Sequence, residues 1–322
     1  MSMKVKETLA KEAKMMRDIY CETLTAMGTR NNKVLALDAD LMSSSGMKPF
    51  MKALPDQFIN CGIAESNMVG VSAGLSAMGY VPFAHTFGPF ASRRVCDQIF
   101  MSCAYAKLNV RIVGSDPGVT AAFNGGTHMP FEDMAVLRAI PEMTLIEPSD
   151  SVQLKSILEQ LETAYGTYFI RLLRKNAVGI YEEGQTFEIG KGCLLREGAD
   201  VTLVASGILV AEALKAAAAL AQEGIKAEVI DMFTWKPLDT GLLFASAAKT
   251  GAVVTCENHN ILGGLGSACA EALVQTQLVP MEMIGVKDIF GQVGPEDFLR
   301  ETYELNAANI VAAAKKAIAR KA

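Results

Sequence analysis

The sequence lacks the features of several protein classes. Its 322 residues carry a formal net charge of −5, and only 20% are charged, so it has none of the broad cationic surface typical of nucleic-acid-binding proteins. The seven cysteines are scattered and form no C-x-x-C pair, which predicts buried free thiols rather than a disulfide framework or a zinc site. No low-complexity tract or obvious internal repeat is present. We therefore expect a globular chain with no nucleic-acid partner.

Segments of the kind that enter membranes are also missing. Residues 1–20 place acidic and basic residues at helical spacing and contain no apolar signal-peptide core. Residues 67–92 carry no charge, but several glycines, two prolines and His85 break the stretch into short pieces. This pattern favours a buried strand–loop–helix over a membrane span. We expect a cytoplasmic protein with no membrane partner.

Apolar residues make up half of the chain, which is enough to bury a large core. Short apolar runs such as KVLALDAD and NVRIVGSD alternate with longer segments typical of helices, such as ESNMVGVSAGLSAMG and SRRVCDQIFMSCAYAK. Uninterrupted apolar strands joined by helices are typical of parallel sheets covered on both faces. The predicted fold class is therefore α/β, with two consecutive domains that are each a mostly parallel sheet covered by helices.

The boundary between these domains is predicted from a change of composition. Residues 177–198 are polar and punctuated by glycine, which indicates a linker followed by a hairpin. A second series of strands and helices follows, with DVTLVASG, ILVAEALKAAAALAQEG and KAEVIDM. We predict a first domain over residues 1–185 and a second over residues 186–322.

The most informative segment runs from Asn60 to Gln98. Glu65 is the only acidic residue between Asn60 and Cys96 and stands at the start of a predicted helix. Considered alone, such a glutamate is best explained by the helix dipole. A desolvated carboxyl group can also share a proton with a heterocyclic nitrogen. Phe87 and Phe90 follow in a Gly-Pro loop and can offer a stacking face for a flat ring, although core packing is the commoner role of phenylalanine.

The order of motifs in this segment resembles the pyrimidine-binding domain of transketolases. It contains G-I-A-E-x-x-M-x-G, an apolar helix, G-x-x-P, T-F-x-x-F and D-Q. It is also similar to deoxyxylulose phosphate synthases and to the β subunits of 2-oxo-acid dehydrogenases. In that family the glutamate bonds N1′ of the aminopyrimidine of thiamine diphosphate. The resemblance implies that Glu65 is catalytic and that Phe87 and Phe90 hold the pyrimidine ring, while Arg93 stands where transketolases often have another aromatic residue.

Further segments match the family in the same order. ALDADLMSSS implies that Asp40 lies near the cofactor and Ser44 near a substrate phosphate. NGGTHMPFED implies that His128 belongs to the substrate pocket and takes part in catalysis, although a lone histidine is more often a core residue. YFIRLLRKN resembles the strand end that bears a phosphate-binding arginine in the family, which implies this role for Arg174. The alternative role of Arg174 is that of a solvated side chain.

Two positions depart from the usual transketolase pattern. Ser115 stands where a histidine is usual, and Asn124 lies near the place of an acidic residue. Losing an acid that bonds a sugar hydroxyl group should alter which hydroxyl configuration is accepted. The resemblance therefore does not name the donor or acceptor sugar.

The second half is similar to the transketolase C-terminal domain. The matching segments are VIDMFTWKPLD and ENHNILGGLGSACAEAL. GGLGSA precedes a helix but lacks the spacing of a dinucleotide-binding motif, so we interpret its glycines as a tight strand–helix turn. His259 is predicted to be structural, and this domain is predicted to serve mainly in assembly.

The family's G-D-G motif, which belongs to the diphosphate-binding domain, is absent from the sequence. The resemblance then implies a C-terminal subunit of a split transketolase, which transfers a two-carbon ketol unit from a ketose phosphate to an aldose or its phosphate. Thiamine diphosphate is the expected cofactor, with Mg²⁺ or another divalent ion held by an N-terminal-type partner subunit. Activity should require that partner, in an α2β2 particle. The alternatives are the β subunit of a 2-oxo-acid dehydrogenase and a non-catalytic assembly subunit.

Overall fold

The computed structural model describes residues 3–321, which form two sheets with helices packed on their faces. The strands are β1 Val34–Asp38, β2 Phe58–Asn60, β3 Val81–Phe87, β4 Val110–Ser115, β5 Thr144–Ile146, β6 Thr167–Leu172, β7 Cys193–Arg196, β8 Val201–Ala205, β9 Ala227–Asp231, β10 Thr234–Lys236, β11 Val253–Asn260 and β12 Met281–Val286.

The helices precede, join and follow these strands. The α-helices are α1 Met16–Arg30, α2 Met42–Ser45, α3 Lys48–Ala53, α4 Glu65–Ala77, α5 Cys96–Gln98, α6 Asp133–Arg138, α7 Ser151–Leu161, α8 Leu209–Gln222, α9 Thr240–Thr250, α10 Leu265–Leu273, α11 Glu296–Thr302 and α12 Ala307–Ala319. Short 3₁₀ segments span Pro55–Gln57, Arg93–Val95, Gly118–Asn124 and Gly126–His128, and a π-helix spans Ile99–Tyr105.

The first sheet has seven strands in the order β10-β5-β6-β4-β3-β1-β2, and all its pairings are parallel except that of β10 with β5. The second has five strands in the order β12-β11-β8-β9-β7, with only β7 antiparallel. The predicted fold class is therefore confirmed. One strand does not pair within its own half of the chain. Strand β10 follows three strands of the second sheet, β7, β8 and β9, yet it pairs with β5 of the first sheet.

The apolar strands are buried on both faces. In β1, Val34 and Ala36 belong to one apolar cluster, while Leu35 and Leu37 belong to the cluster on the opposite face. Successive side chains of a strand point to opposite faces, so an unbroken apolar run requires helices on both sides. Each cluster also contains residues of the second sheet, and the two units therefore share their cores.

Helix α7 shows how the sequence defines an element end. The side chain of Asp150 accepts a hydrogen bond from the backbone N–H of Gln153 at 3.0 Å, which satisfies one of the free donors at the helix start. Val152, Leu154 and Ile157 lie on the buried side of the helix. The start of α7 is therefore set by a residue type that favours this position, and its length by the apolar face that it buries.

The predicted hairpin after residue 177 is wrong. Residues around Val178 and Tyr181 make isolated antiparallel bridges with Lys11 and Val5, and β7 pairs with β9 instead of with a neighbour in sequence. Residues 3–15 are accordingly not helical, despite the spacing of their charges. Backbone groups in both segments need hydrogen-bond partners, and two distant extended segments supply them to each other.

All seven cysteines are free thiols, but Cys61 and Cys96 are not buried as predicted. Five of them are buried, and burial raises the pKa of Cys103 to about 12. Within residues 3–321, no helix is both long and apolar enough to cross a membrane.

Candidate active site

The predicted site residues all lie at one edge of the first sheet. Five neighbouring strands, in the order β6-β4-β3-β1-β2, run parallel and therefore end on the same side. The predicted residues stand at or after these ends: Arg174 after β6, His128 after β4, Phe87 and Phe90 at and after β3, Asp40 and Ser44 after β1, and Glu65 after β2. Ligands of open α/β sheets bind at the carboxyl ends of the strands.

Glu65 is a buried carboxylate at the first position of α4. Only 4% of the residue is exposed, and its Oε1 accepts a hydrogen bond from Nη1 of Arg94 at 2.7 Å. The position at the helix N-terminus stabilises a negative charge. Arg94 was not among the predicted site residues. Its guanidinium carbon also lies 3.7 Å from the centroid of the Phe90 ring.

Three of the predicted side chains form an aromatic cluster. The His128 ring lies 5.8 Å from the Phe87 ring and 5.2 Å from the Phe90 ring, both in edge-on contacts. The two phenylalanine rings are 6.3 Å apart. Nδ1 of His128 and the hydroxyl group of Thr127 are 2.9 Å apart, which leaves Nε2 for another partner. Together with Glu65, this cluster offers a flat apolar face, a carboxylate and an imidazole.

Arg174 forms an ion pair with Asp116. Its Nε donates to Oδ1 of Asp116 at 2.9 Å, and Nη2 lies 2.9 Å from Oδ2, so one edge of the guanidinium faces this carboxylate. The guanidinium carbon is 5.7 Å from the centroid of the Phe87 ring, which places Arg174 beside the aromatic cluster. Burial raises the pKa of Asp116, and the charge of Arg174 opposes the rise. Lys175 and Arg17 are close enough to oppose it as well.

Arg17 is a further candidate site residue, which the sequence analysis did not predict. Its Nη1 donates to the backbone carbonyl of Ser44 at 2.9 Å, which connects α1 to the loop after β1. Its Nε is buried without a hydrogen-bond partner among residues 3–321. A signal was present in the sequence, because a positive charge in the first turn of a helix is disfavoured by the dipole and needs another reason. Arg17 and Arg174 make the region near Ser44 and Asp116 a concentration of positive charge.

Asp40 lies at the other side of the strand ends. Its backbone has a φ of 63°, a left-handed conformation that aspartate tolerates better than most residues. Its N–H donates to Oδ1 of Asn60 at 3.1 Å, and Asn60 also accepts from the N–H of Gly62 at 2.9 Å. These bonds join the loop after β1 to the loop that leads into Glu65.

The positions that depart from the family pattern have different surroundings. Ser115 is buried at the end of β4, whereas Asn124 is exposed. Arg93 pairs with Glu132 and donates to the carbonyl oxygen of Thr127 at 3.0 Å. Arg93 therefore supports the loop that carries His128.

A buried ion network lies directly behind this loop. Arg171, in β6, is fully buried and donates to Asp133 at 2.8 Å and to Glu147 at 2.6 Å. Its Nη2 also donates to the carbonyl oxygens of Pro130 at 3.0 Å and Asn258 at 2.9 Å. Burial alone lowers the pKa of Arg171, but the two carboxylates outweigh it, so the pKa is raised. The network joins both sheets and fixes the segment that follows His128.

The glycine-rich turn of the second unit has a structural explanation. A Cβ atom on Gly264 would collide with the carboxylate of Glu257, which accepts hydrogen bonds from the N–H groups of Leu265 at 2.7 Å and Gly266 at 2.9 Å. The predicted tight strand–helix turn is confirmed, since it joins β11 to α10. His259 is fully buried, and burial lowers its pKa to about 3, in agreement with a structural role.

The part of the chain from residue 3 to residue 321 contains no group of three or more His, Cys, Asp or Glu side chains that could hold a metal ion. The cluster of Glu65, Phe87, Phe90 and His128 instead fits a flat nitrogen heterocycle, because it combines a stacking surface with a buried hydrogen-bonding carboxylate.

Comparison with known proteins identifies the two halves of the chain. The family described as "Transketolase, pyrimidine binding domain" matches residues 12–178, and "Transketolase, C-terminal domain" matches residues 190–310. The chain is 52% identical over 310 residues to "6-deoxy-6-sulfo-D-fructose transketolase subunit SqwH" of Clostridium sp. (strain MSTE9), with 96% of each chain covered. It is 41% identical over 300 residues to "Putative transketolase C-terminal section" of Methanocaldococcus jannaschii, with 92% of this chain and 94% of the relative covered.

A solved structure extends the agreement to three dimensions. "Split gene transketolase, inactive beta4 tetramer" superposes with a TM-score of 0.90 and 43% identity, covering 96% of this chain and 99% of that chain. Sequence, length and fold therefore agree with the same family. The chain belongs to the transketolase family and carries its pyrimidine-binding and C-terminal domains, in the arrangement of a split-transketolase subunit.

Proposed function

We propose that this chain is the C-terminal subunit of a thiamine-diphosphate-dependent transketolase, which transfers a two-carbon ketol unit from a ketose phosphate to an aldose or its phosphate. The observation that carries the proposal is the buried Glu65 at the start of α4, which one arginine, Arg94, connects to the ring of Phe90 and so to the aromatic cluster. A chain with no catalytic role would gain nothing from a buried carboxylate at the strand ends that also carry an aromatic cluster.

Four residues of this chain would hold the aminopyrimidine part of the cofactor. Phe90 and Phe87, whose rings are 6.3 Å apart, supply the stacking face, and Glu65 bonds a ring nitrogen. Asp40 lies near the cofactor edge, in the loop bonded to the residues before Glu65. When bound, thiamine diphosphate supplies a nucleophilic carbon and an electron sink. Glu65 moves a proton at the pyrimidine nitrogen and so acts as a general acid–base group.

The substrate end of the site is formed by His128, Ser44 and Arg174. His128 lies against both phenylalanine rings, where its free Nε2 can bond a sugar oxygen. Ser44 and Arg174 bind the phosphate group, helped by Arg17, which donates to the Ser44 carbonyl. Arginine suits this role because its planar fork matches phosphate geometry.

The cofactor diphosphate and its Mg²⁺, or another divalent ion, would be bound by an N-terminal-type partner subunit. Support comes from the lack of a G-D-G motif and from the similarity to a protein named as a transketolase subunit. We further propose a particle of two copies of each chain. A twofold pairing buries the same patch on both copies of a subunit.

The test is to purify the chain with and without its partner and to measure ketol transfer. We expect no activity from this chain alone, and activity with the partner that depends on thiamine diphosphate and a divalent ion. Robust transfer by the single chain would contradict the two-chain proposal. Oxidative decarboxylation of a 2-oxo acid by the complex would favour the dehydrogenase alternative, and a complex that binds no cofactor would favour an assembly role.

A second candidate substrate is a ketose with a sulfonate in place of the phosphate. One relative, 52% identical, is named as a subunit of a 6-deoxy-6-sulfo-D-fructose transketolase. In this chain, Asp116 already faces one edge of Arg174 and neutralises part of the positive charge. A sulfonate has a single negative charge, whereas a phosphate ester has about −1.5 to −2 at pH 7, so a partly neutralised site suits the sulfonate better.

The two donors can be compared directly in the assembled complex. We expect kcat/KM for 6-deoxy-6-sulfofructose to exceed that for fructose 6-phosphate if Asp116 tunes the site for a single charge. The variant Asp116→Asn should then shift the preference towards the phosphate. A preference for phosphate that this variant does not alter would exclude the sulfonated donor.

A further inference from the structure

Arg94 makes the same two contacts that we have proposed for the aminopyrimidine. Its guanidinium carbon lies 3.7 Å from the centroid of the Phe90 ring, and its Nη1 donates to Oε1 of Glu65 at 2.7 Å. A guanidinium group resembles an aminopyrimidine in being flat and in presenting N–H donors at its edge. While the Arg94 guanidinium is stacked on Phe90 and bonded to Glu65, an aminopyrimidine therefore cannot occupy the same face of the Phe90 ring.

We propose that Arg94 competes with the cofactor's aminopyrimidine for Glu65 and Phe90, and thereby sets the affinity of the subunit for thiamine diphosphate. This inference rests on the proposed function. It concerns a residue that must move when the cofactor binds, rather than a residue that holds it.

The contact has a clear physical reason. The side chain of Glu65 is only 5% exposed, and a buried carboxylate without a partner is costly. Arg94 supplies that partner, and the stacking on Phe90 adds a cation–π attraction. The chain can therefore keep Glu65 satisfied before the partner subunit and the cofactor arrive.

The exchange is physically easy because of the position of Arg94. Its side chain is 44% exposed, in the 3₁₀ segment Arg93–Val95, so the guanidinium can turn into water without disturbing the core. The cofactor can then take over both contacts. The gain from the new contacts is reduced by the loss of the old ones, which weakens the apparent affinity.

The neighbouring Arg93 provides a matched control. It is also an exposed arginine of the same segment, but its guanidinium pairs with Glu132 and the Thr127 carbonyl and not with Glu65. Arg93→Gln and Arg94→Gln remove the same charge from adjacent positions. A general electrostatic effect on the anionic cofactor would appear in both variants, whereas competition for Glu65 would appear only in the second.

The first measurement uses the isolated full-length chain without added cofactor. We expect Arg94→Gln to lower the melting temperature more than Arg93→Gln does, because it leaves Glu65 without its partner. The difference should disappear when both variants also carry Glu65→Gln, which removes the buried charge. A melting temperature of Arg94→Gln equal to that of the wild type would show that the contact does not form in solution and would overturn the inference.

The second measurement is the dissociation constant of thiamine diphosphate with Mg²⁺, determined by titration calorimetry on the chain assembled with its partner. We expect Arg94→Gln to bind about three- to ten-fold more tightly than wild type, the range given by a half-exposed ion pair plus a cation–π contact. Arg94→Lys keeps the charge but not the flat group, so its dissociation constant should lie between those of the wild type and Arg94→Gln. Arg93→Gln should change the constant less than two-fold, or weaken binding slightly through the lost charge, as a rough expectation from surface electrostatics.

The outcomes separate the two proposals. A wild-type complex that does not bind thiamine diphosphate would contradict the proposed function itself. A wild-type complex that binds it, with unchanged or weaker binding in Arg94→Gln, would leave the proposed function in place and overturn the competition, because Arg94 would then be neutral or would support the bound cofactor.

Discussion

Replacing Arg171 by methionine should be among the most damaging single changes in the chain. Methionine approximates the length of the arginine stem without its charge. The change would leave the buried carboxylates of Asp133 and Glu147 without the cation between them, and the carbonyls of Pro130 and Asn258 without a donor. Removing one member of a buried ion pair costs about 3–5 kcal/mol. Each unsatisfied buried polar group adds about 1–3 kcal/mol.

We therefore expect a loss of at least about 4 kcal/mol, within a total stability of about 5–15 kcal/mol for a typical domain. At roughly 2 °C per kcal/mol for a chain of this size, the melting temperature should fall by about 8 °C or more. Thermal unfolding followed by circular dichroism measures this change. Because the network fixes the segment after His128, the variant should also bind the partner and the cofactor less well at temperatures where it is still folded.

Arg111→Met is the matched control. Arg111 is just as buried, but within residues 3–321 its guanidinium donates only to backbone carbonyls, those of Leu161, Asn109 and Ala164. Burial without a carboxylate partner lowers its pKa to about 10. No buried negative charge is left behind when it is removed, so its loss should cost less.

A triple variant completes the test of the network. Arg171→Met combined with Asp133→Asn and Glu147→Gln should regain part of the lost stability, because the amides remove the uncompensated charge. The reasoning would be refuted if Arg171→Met cost no more than Arg111→Met, or if the two amides made the chain still less stable.

Three further predictions concern the site and the pH dependence. Glu65→Gln should slow ketol transfer in the assembled complex by about 10²–10⁴-fold, and an unchanged rate would remove Glu65 from catalysis. Arg174→Ala should raise KM for a phosphorylated acceptor more than for an unphosphorylated one; equal losses would mean that Arg174 is structural. Burial raises the pKa of Asp231 from 3.8 to about 7, so the folded chain binds an extra proton between these values and its stability should fall as the pH rises through that window. Asp231→Asn should show a flatter melting temperature between pH 5 and pH 7 than wild type, and identical slopes would contradict the assignment.

The location of much of the candidate site could be predicted because its residues follow strands that the sequence pattern indicates. Most of the predicted residues stand at or after an apolar strand that the sequence pattern predicts, such as β1 before Asp40 or β4 before His128. Glu65 is the exception, because it follows β2, a short and partly exposed strand that the pattern did not predict. Parallel strands end at a common edge, so residues after different strands meet without any knowledge of their side-chain contacts. The roles proposed for Glu65 and Arg174 came from the family motifs and remain predictions, as does the domain boundary near residue 185.

Other features could not be predicted because they depend on contacts between distant parts of the chain. The sequence of residues 3–15 did not indicate that they would pair with residues around Val178 and Tyr181. The residue pattern of a short polar segment does not identify the segment with which it pairs. Similarly, β10 is only three residues long and pairs with a strand of the other unit. The conformation of such a short strand depends on the sheet edge with which it pairs more than on its own residues.

The amino-acid sequence by itself determined the α/β class, the free thiols and the strand ends that carry the candidate site. These features depend on the spacing of apolar residues and the order of motifs, which are visible along the chain without knowledge of distant contacts. The tertiary structure alone decided the electrostatics. Glu65 and Arg94 are 29 residues apart in the chain yet form an ion pair, and Arg171 meets Asn258 across 87 residues. A buried ion pair forms only where folding brings the two charges close together, because their attraction must offset the loss of water around both groups. These distances cannot be obtained from the sequence.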